Sequence, residues 1–250
     1  MIRFTLDEHA VGRIALDRAD KRNALTPGML REIGAHAASA TQRGARAILL
    51  EGEGGVFCAG FDLTLCRDDA TGGAMRDLLA ELSRAARALR RAPVPVVGAA
   101  QGGAIAGGCA LLGGCDVVVT DAKASLGYPV LRLGVSPALT SPLLRLAMHD
   151  GGARQRLLDT NLIDGREALR TGLAHECVDR PEDVRPRAHE IARALAAKPP
   201  HALRATKAWL NELDGSDNDD VFDRALHVSL SLAGGDEERE LLAAMWGKKA

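Results

Sequence analysis

Two stretches of this chain combine residue types that suit chemistry at a backbone: GEGGVFCAGFDL (52–63) and PVPVVGAAQGGAIAGGCALLGGCD (93–116). In each, an apolar run enters a glycine-rich segment. Small residues leave backbone N–H groups unshielded. Two such donors aimed at one oxygen stabilise the negative charge that develops there during a reaction. Tight turns with close helix–strand packing need the same residues, and spacing alone leaves both readings open. A dinucleotide fingerprint is not met, because GxGxxG is absent, and no phosphate-binding P-loop pattern occurs.

The elements that must position these stretches follow from periodicity. IRFTL, VGRIALD, ARAILLEGEG, VPVVGAAQG and CDVVVTD read as strands. Thr26 suits an N-cap with Pro27 behind it, opening a helix to about Gln42. MRDLLAELSRAARALRRA is amphipathic at helical spacing, and Pro93 stops it. Strands alternating with helices predict an α/β layered core. From about residue 139 the pattern turns helical. Asp164 caps REALRTG and Gly172 ends it. DGSDNDD (214–220) is a polar connection between later helices.

Bulk properties narrow the function. Lys and Arg total 32 and Asp and Glu 33, a formal net charge of −1, so no global field draws a polyanion. Aromatics are 3%, too few for base-stacking platforms. Nucleic acid is excluded as a main partner. The five cysteines show no CxxC spacing, which points to a reducing cytoplasm. No histidine or cysteine cluster has metal-ligand spacing. No secretory signal or membrane-spanning run is expected.

The motifs DKRNAL (20–25), FCAGFDL (57–63), PVVGAAQGGAIAGGCALLGGCDVVV, LRLGVSP (131–137) and NLIDGREALRTGLAHECVD (161–179) occur in order. Together they resemble the enoyl-CoA hydratase/isomerase, or crotonase, family over nearly the whole chain. The resemblance implies a crotonase-like (ClpP/crotonase) α/β core of β-β-α spiral units over 1–195. It also implies a helical trimerisation and lid region over 196–250. It implies an acyl-CoA thioester as substrate, no separate cofactor, a place in fatty acid metabolism, and a homotrimer or homohexamer. By position, Phe61 and Gly107 would supply the two backbone N–H groups of an oxyanion hole for a thioester enolate. Arg22, Asn23 and Ala24 would line the nucleotide pocket of CoA. Ala59, Asp62 and Leu63 would flank the adenine and pantetheine path. Gly108, Val130 and Leu133 would also belong to the substrate- and CoA-binding set, and Lys207 would meet the CoA phosphates. Asp62 also has a plainer reading, as the cap of the following turn.

The departures from the family pattern bear directly on the reaction. A hydratase of this family activates water with two glutamates, and those positions are Ala110 and Val130 here. Neither side chain can transfer a proton. Polar residues near the expected pocket are Tyr128, Ser136, Thr140, Ser141, Arg132, Cys66, Arg67 and Asp68. Tyr128 is a candidate to bond a substrate carboxylate or relay a proton, and core packing is its other reading. With donors retained and glutamates absent, the expected activity is decarboxylation of an acyl-CoA, hydration or a double-bond shift through a replaced acid/base, or acyl-CoA binding or a scaffold role without turnover.

Overall fold

The computed structural model describes residues 1–67, 69 and 71–247. Six strands form the main sheet: β1 (Ile2–Leu6), β2 (Val11–Leu16), β3 (Ala47–Gly52), β4 (Val96–Ala100), β6 (Val117–Asp121) and β8 (Glu176–Val178), in that spatial order. β1 runs antiparallel to β2, and every other pairing is parallel. A second sheet pairs β5 (Gly103–Ile105) with β7 (Ser125–Gly127), also in parallel.

β3 and β4 are buried throughout, which is why they read as unbroken apolar runs. Their residues nonetheless divide by strand alternation between two cores. Ile48, Leu50 and Val96 face α1 (Pro27–Ser39) and α2 (Gly73–Arg90). Ala47, Leu49, Val97 and Ala99 face α6 (Pro181–Ala196), which presents Val184, Ala188, Ala192 and Ala196. α2 buries Met75, Leu78, Leu79, Leu82 and Leu89, the stripe its spacing predicts.

The Thr26 side chain accepts from the Met29 N–H, as an N-cap does. α1 stops at Ser39 rather than Gln42, and Gly44 turns the chain at φ +92°. α5 (Gly165–Thr171) is capped by Asp164 and ends at Gly172 in the left-handed region. The stretch expected to be helical from residue 139 also contains β8, which completes the sheet edge beside β6. α3 (Gly107–Leu112) is short, and α4 (Ser141–Leu158) is broken at His149, where φ is 57°. α7 (Pro200–Asp214), α8 (Asp219–Leu230) and α9 (Asp236–Gly247) follow. Arg87 of α2 and Arg91 at its C-cap hold α8 through Asp219, with Arg87 also meeting Asp223. α9 packs on the 3-10 turn Pro129–Leu133.

Candidate active site

Residues 58–62 thread between two other segments and bond to both. On one side, the Ala59 N–H donates to the Arg22 carbonyl (3.0 Å), Leu25 N–H to Gly60 (2.8 Å) and Asp62 N–H to Leu25 (2.9 Å). On the other, Cys58 N–H donates to Gly103 (3.2 Å) and Ile105 N–H to Cys58 (3.0 Å). Because the Gly60 carbonyl and the Asp62 N–H both turn toward Leu25, the intervening Phe61 N–H turns to the opposite side. That side holds Ile105 and Ala106: a Cβ on Gly60 would lie 3.0 Å from the Ile105 carbonyl. Gly60 has φ +94°, a conformation that favours glycine.

The second glycine stretch arrives from β5. Ala106 sits at φ 50°, ψ −108°, a strained geometry for alanine, with its N–H fixed to the Gly127 carbonyl at 2.8 Å. Gly107 follows as the first residue of α3, where no intrahelical acceptor exists for its N–H. A Cβ on Gly107 would come within 3.0 Å of the Phe61 ring and 3.2 Å of Leu25. The two loops therefore meet at Phe61 and Gly107. Among the described residues neither N–H has a hydrogen-bond partner.

A cavity of about 180 Å³ lies beside this junction. Ala59, Gly60, Phe61 and Leu63 line it from the first loop, and Ile105 and Ala106 from the second. Pro129, Val130, Leu133 and Val135, with Met75 of α2, complete the lining. None of these side chains titrates. A larger hollow of about 380 Å³ beside α4 takes none of its walls from the glycine loops.

Several expected ligand residues have other partners. Lys207, placed by resemblance on the CoA phosphates, is buried, pairs with Asp116 (2.6 Å) and donates to the Val94 carbonyl (2.9 Å). Burial lowers its pKa, against the opposing pull of Asp116. It ties α7 to the segment entering β4, so its ammonium is already engaged within the protein rather than held out toward a ligand. Gly108 does not line the cavity either. It is a packing glycine, since a Cβ there would meet the Cys58 carbonyl at 2.8 Å. Tyr128 is in the core rather than on the cavity wall, and burial pushes its phenol well above its ordinary pKa.

The other candidates follow suit. Arg132 bonds Thr160 and Asn161, Ser136 caps the turn at Ala138, and Thr140 donates to the Pro137 carbonyl. Burial and nearby carboxylates push the Cys66 thiol to about 11, too high for a thiolate nucleophile near neutrality. Asp68 lies outside the described residues. Ala110 is buried in the core one turn beyond Gly107, whereas Val130 faces the cavity.

The 18–25 segment is locked rather than open. Asn23 is fully buried at φ 56°, donates to the Glu53 and Val56 carbonyls (2.9 Å each), and accepts from the Arg18 N–H. Arg22, at φ 51°, is exposed beside it, and Ala24 accepts from Arg18. Arg18 also meets Asp62 at 2.8 Å. Asp62 caps the next turn by accepting from the Thr64 N–H, the plainer of its two readings. Burial opposes its charge, but the Thr64 hydrogen bonds and the Arg18 guanidinium outweigh this and hold the carboxyl below its usual range.

Asp62 is thus a group whose folded pKa is depressed, so its contribution exists above the unfolded value of 3.8 and fades as pH falls through the folded value. Asp62→Ala is expected to cost about 1–2 kcal/mol at pH 7. The gap to the wild type narrows as denaturation is followed down from pH 5 to pH 2. A gap that stays constant with pH would show that the carboxylate charge is not what stabilises the turn.

Sequence reasoning did not find Met75, Ile105, Pro129 and Val135 on the cavity wall, because apolar residues at helical or strand spacing look the same in a core. No helix among the described residues is long and apolar enough to cross a membrane. No group of three or more His, Cys, Asp or Glu among them could hold a metal.

Comparison with known proteins places this geometry. The sequence pattern of the enoyl-CoA hydratase/isomerase family matches residues 7–229. A Thermus thermophilus protein that carries an enoyl-CoA hydratase name is 34% identical over 215 residues, 85% of each chain. The crotonyl-CoA hydratase of Syntrophomonas wolfei is 30% identical, covering 97% of this chain and 94% of its own. The crystal structure of an enoyl-CoA hydratase/isomerase from Xanthobacter autotrophicus superposes with a TM-score of 0.84 at 27% identity, covering 100% of this chain and 98% of that one. The spiral α/β core with appended helices is the crotonase fold, and the chain belongs to the enoyl-CoA hydratase/isomerase family.

Proposed function

We propose that this protein binds an acyl-CoA thioester and stabilises its enolate through the Phe61 and Gly107 N–H groups, without an acid/base side chain of its own. The observation that carries the reading is the pairing of two unpartnered backbone donors with a cavity whose walls hold no titratable group. A site of this kind suits a reaction that makes an enolate with no proton to abstract. Decarboxylation of a malonyl-type acyl-CoA, whose carboxylate is carried on the α-carbon, is such a reaction. The bond from the α-carbon to the carboxylate breaks, carbon dioxide leaves, and its electron pair becomes the enolate. Water then returns a proton to the α-carbon. Each donor contributes roughly 10²–10³ in rate when its hydrogen bond strengthens with the developing charge.

Incubation with malonyl-type CoA esters, and with glutaconyl-type esters in which the γ-carbon–carboxylate bond breaks and the electron pair passes through the double bond to the thioester oxygen, tests this reading, with release of carbon dioxide as the expected result. Intact ester after long incubation at high protein concentration rejects it. The same bare walls support a second reading, an acyl-CoA-binding or scaffold protein without turnover. Calorimetry with a non-reactive acyl-CoA separates the two: binding with no turnover of any ester, crotonyl-CoA included, favours the second. A homotrimer or homohexamer is part of the proposal. Exposed Trp209, Leu210 and Leu213 on α7 and Val228 on α8 offer apolar surface for it.

A further inference from the structure

Met75 lines two cavities at once. On one side is the 180 Å³ cavity beside Phe61 and Gly107. On the other is a cavity of about 240 Å³ beneath α9, walled by Cys66, Glu238, Leu242, Ala243 and Trp246. The 3-10 turn Leu63–Cys66 also borders both, with Leu63 lining the first cavity and Cys66 the second. The two spaces are held in one frame, because α9 packs on the turn that carries Val130 and Leu133. There a Cβ on Gly134 would lie 2.9 Å from the Glu238 nitrogen.

Leu242, Met75, Ala243 and the Trp246 ring give the second cavity an apolar side, Asp69, Glu238 and Arg239 line it as well, and the Arg67 guanidinium stacks 4.2 Å over the Trp246 ring. Burial raises the pKa of the Glu238 carboxyl, and the group accepts from the Gly234 N–H, so its charge is covered.

We infer that Met75 is the specificity-determining partition of the acyl site: it limits the acyl chain to the first cavity, and its removal admits longer chains into the space beneath α9. This rests on the acyl-CoA reading above. A dry apolar cavity of about 150 Å³ holds benzene, so the first cavity accommodates a chain of about six carbons. Methionine is the residue type suited to such a position, since it fills irregular gaps without branching. Each further methylene that leaves water tightens binding about fourfold, and in the wild type that gain ends at the Met75 side chain.

The test is calorimetric titration of the full chain with butyryl-, hexanoyl-, octanoyl- and decanoyl-CoA. For the wild type, affinity is expected to rise to hexanoyl-CoA and then level. For Met75→Ala, decanoyl-CoA is expected to bind at least tenfold tighter than hexanoyl-CoA. Ala243→Trp, an exposed position on α9, fills the second cavity and is expected to abolish that gain when combined with Met75→Ala. Leu63→Ala opens the same border from the 3-10 turn and gives the same shift if Met75→Ala does not fold. A wild type that already binds decanoyl-CoA tenfold tighter than hexanoyl-CoA overturns the proposal. So does an opened variant with the wild-type profile. If no acyl-CoA binds the wild type at all, the acyl-CoA reading itself fails; if hexanoyl-CoA binds and the profile does not move, only the role of Met75 fails.

Discussion

Gly107→Ala is expected to lower turnover of the responsive CoA ester by about 10²–10³ while the chain remains folded. The added methyl would stand 3.0 Å from one Phe61 ring carbon, 3.2 Å from another, and 3.2 Å from Leu25. It forces the Phe61 loop and the start of α3 apart, and these carry the two donors. Overpacking of this kind costs about 1–3 kcal/mol of stability, which thermal unfolding measures separately. The signature of the proposed role is a fall in kcat that exceeds any fall in affinity for the ground-state ester, because the donors act most on the enolate. An unchanged kcat in a variant with wild-type stability would remove Gly107 from the chemistry.

Lys207→Met carries the largest expected stability effect. Asp116 then loses its partner while still holding the Val96 N–H at 2.7 Å. Breaking a buried pair from one side costs about 3–5 kcal/mol. Asp116 keeps about a quarter of its side chain in water, with 26% exposed, which favours the lower end. A loss of about 3 kcal/mol lowers Tm by roughly 10 °C for a chain of this size. Adding Asp116→Asn removes the stranded charge yet keeps an acceptor for Val96, and recovers much of the loss. CoA-ester affinity stays within about twofold throughout. Weakened CoA binding at an unchanged Tm would return the lysine to the ligand site.

These two residues mark what was legible in the sequence. Gly107 was reachable because the run AIAGGCALLGGCD combines small residues, a helix start and a family motif, and each is a local signal. The caps at Thr26 and Asp164 and the stop at Gly172 were readable for the same reason. The burial of Lys207 was not legible, because its partner lies 91 positions away and nothing in ATKAWLNEL distinguishes a buried lysine from a solvated one. β5, β7 and β8 are three residues each, too short for alternation to show. Tyr128 and Met75 have opposite histories: a polar residue near a motif proved to be core, and a residue on a core stripe proved to wall the site. Side-chain chemistry at a site depends on tertiary neighbours, which local pattern does not encode.

The two donors at the junction of the loops are main-chain groups, set by the hydrogen bonds of residues 58–62 and by the strained Ala106. On the proposed function, their role is therefore inherited with the backbone, independent of which side chains surround it. On the proposed function, the walls at Val130, Leu133 and Met75 are interchangeable parts around a fixed polarising centre. On that reading, a lineage with this scaffold can lose one reaction and acquire another by exchanging a wall residue while the polarising centre stays in place.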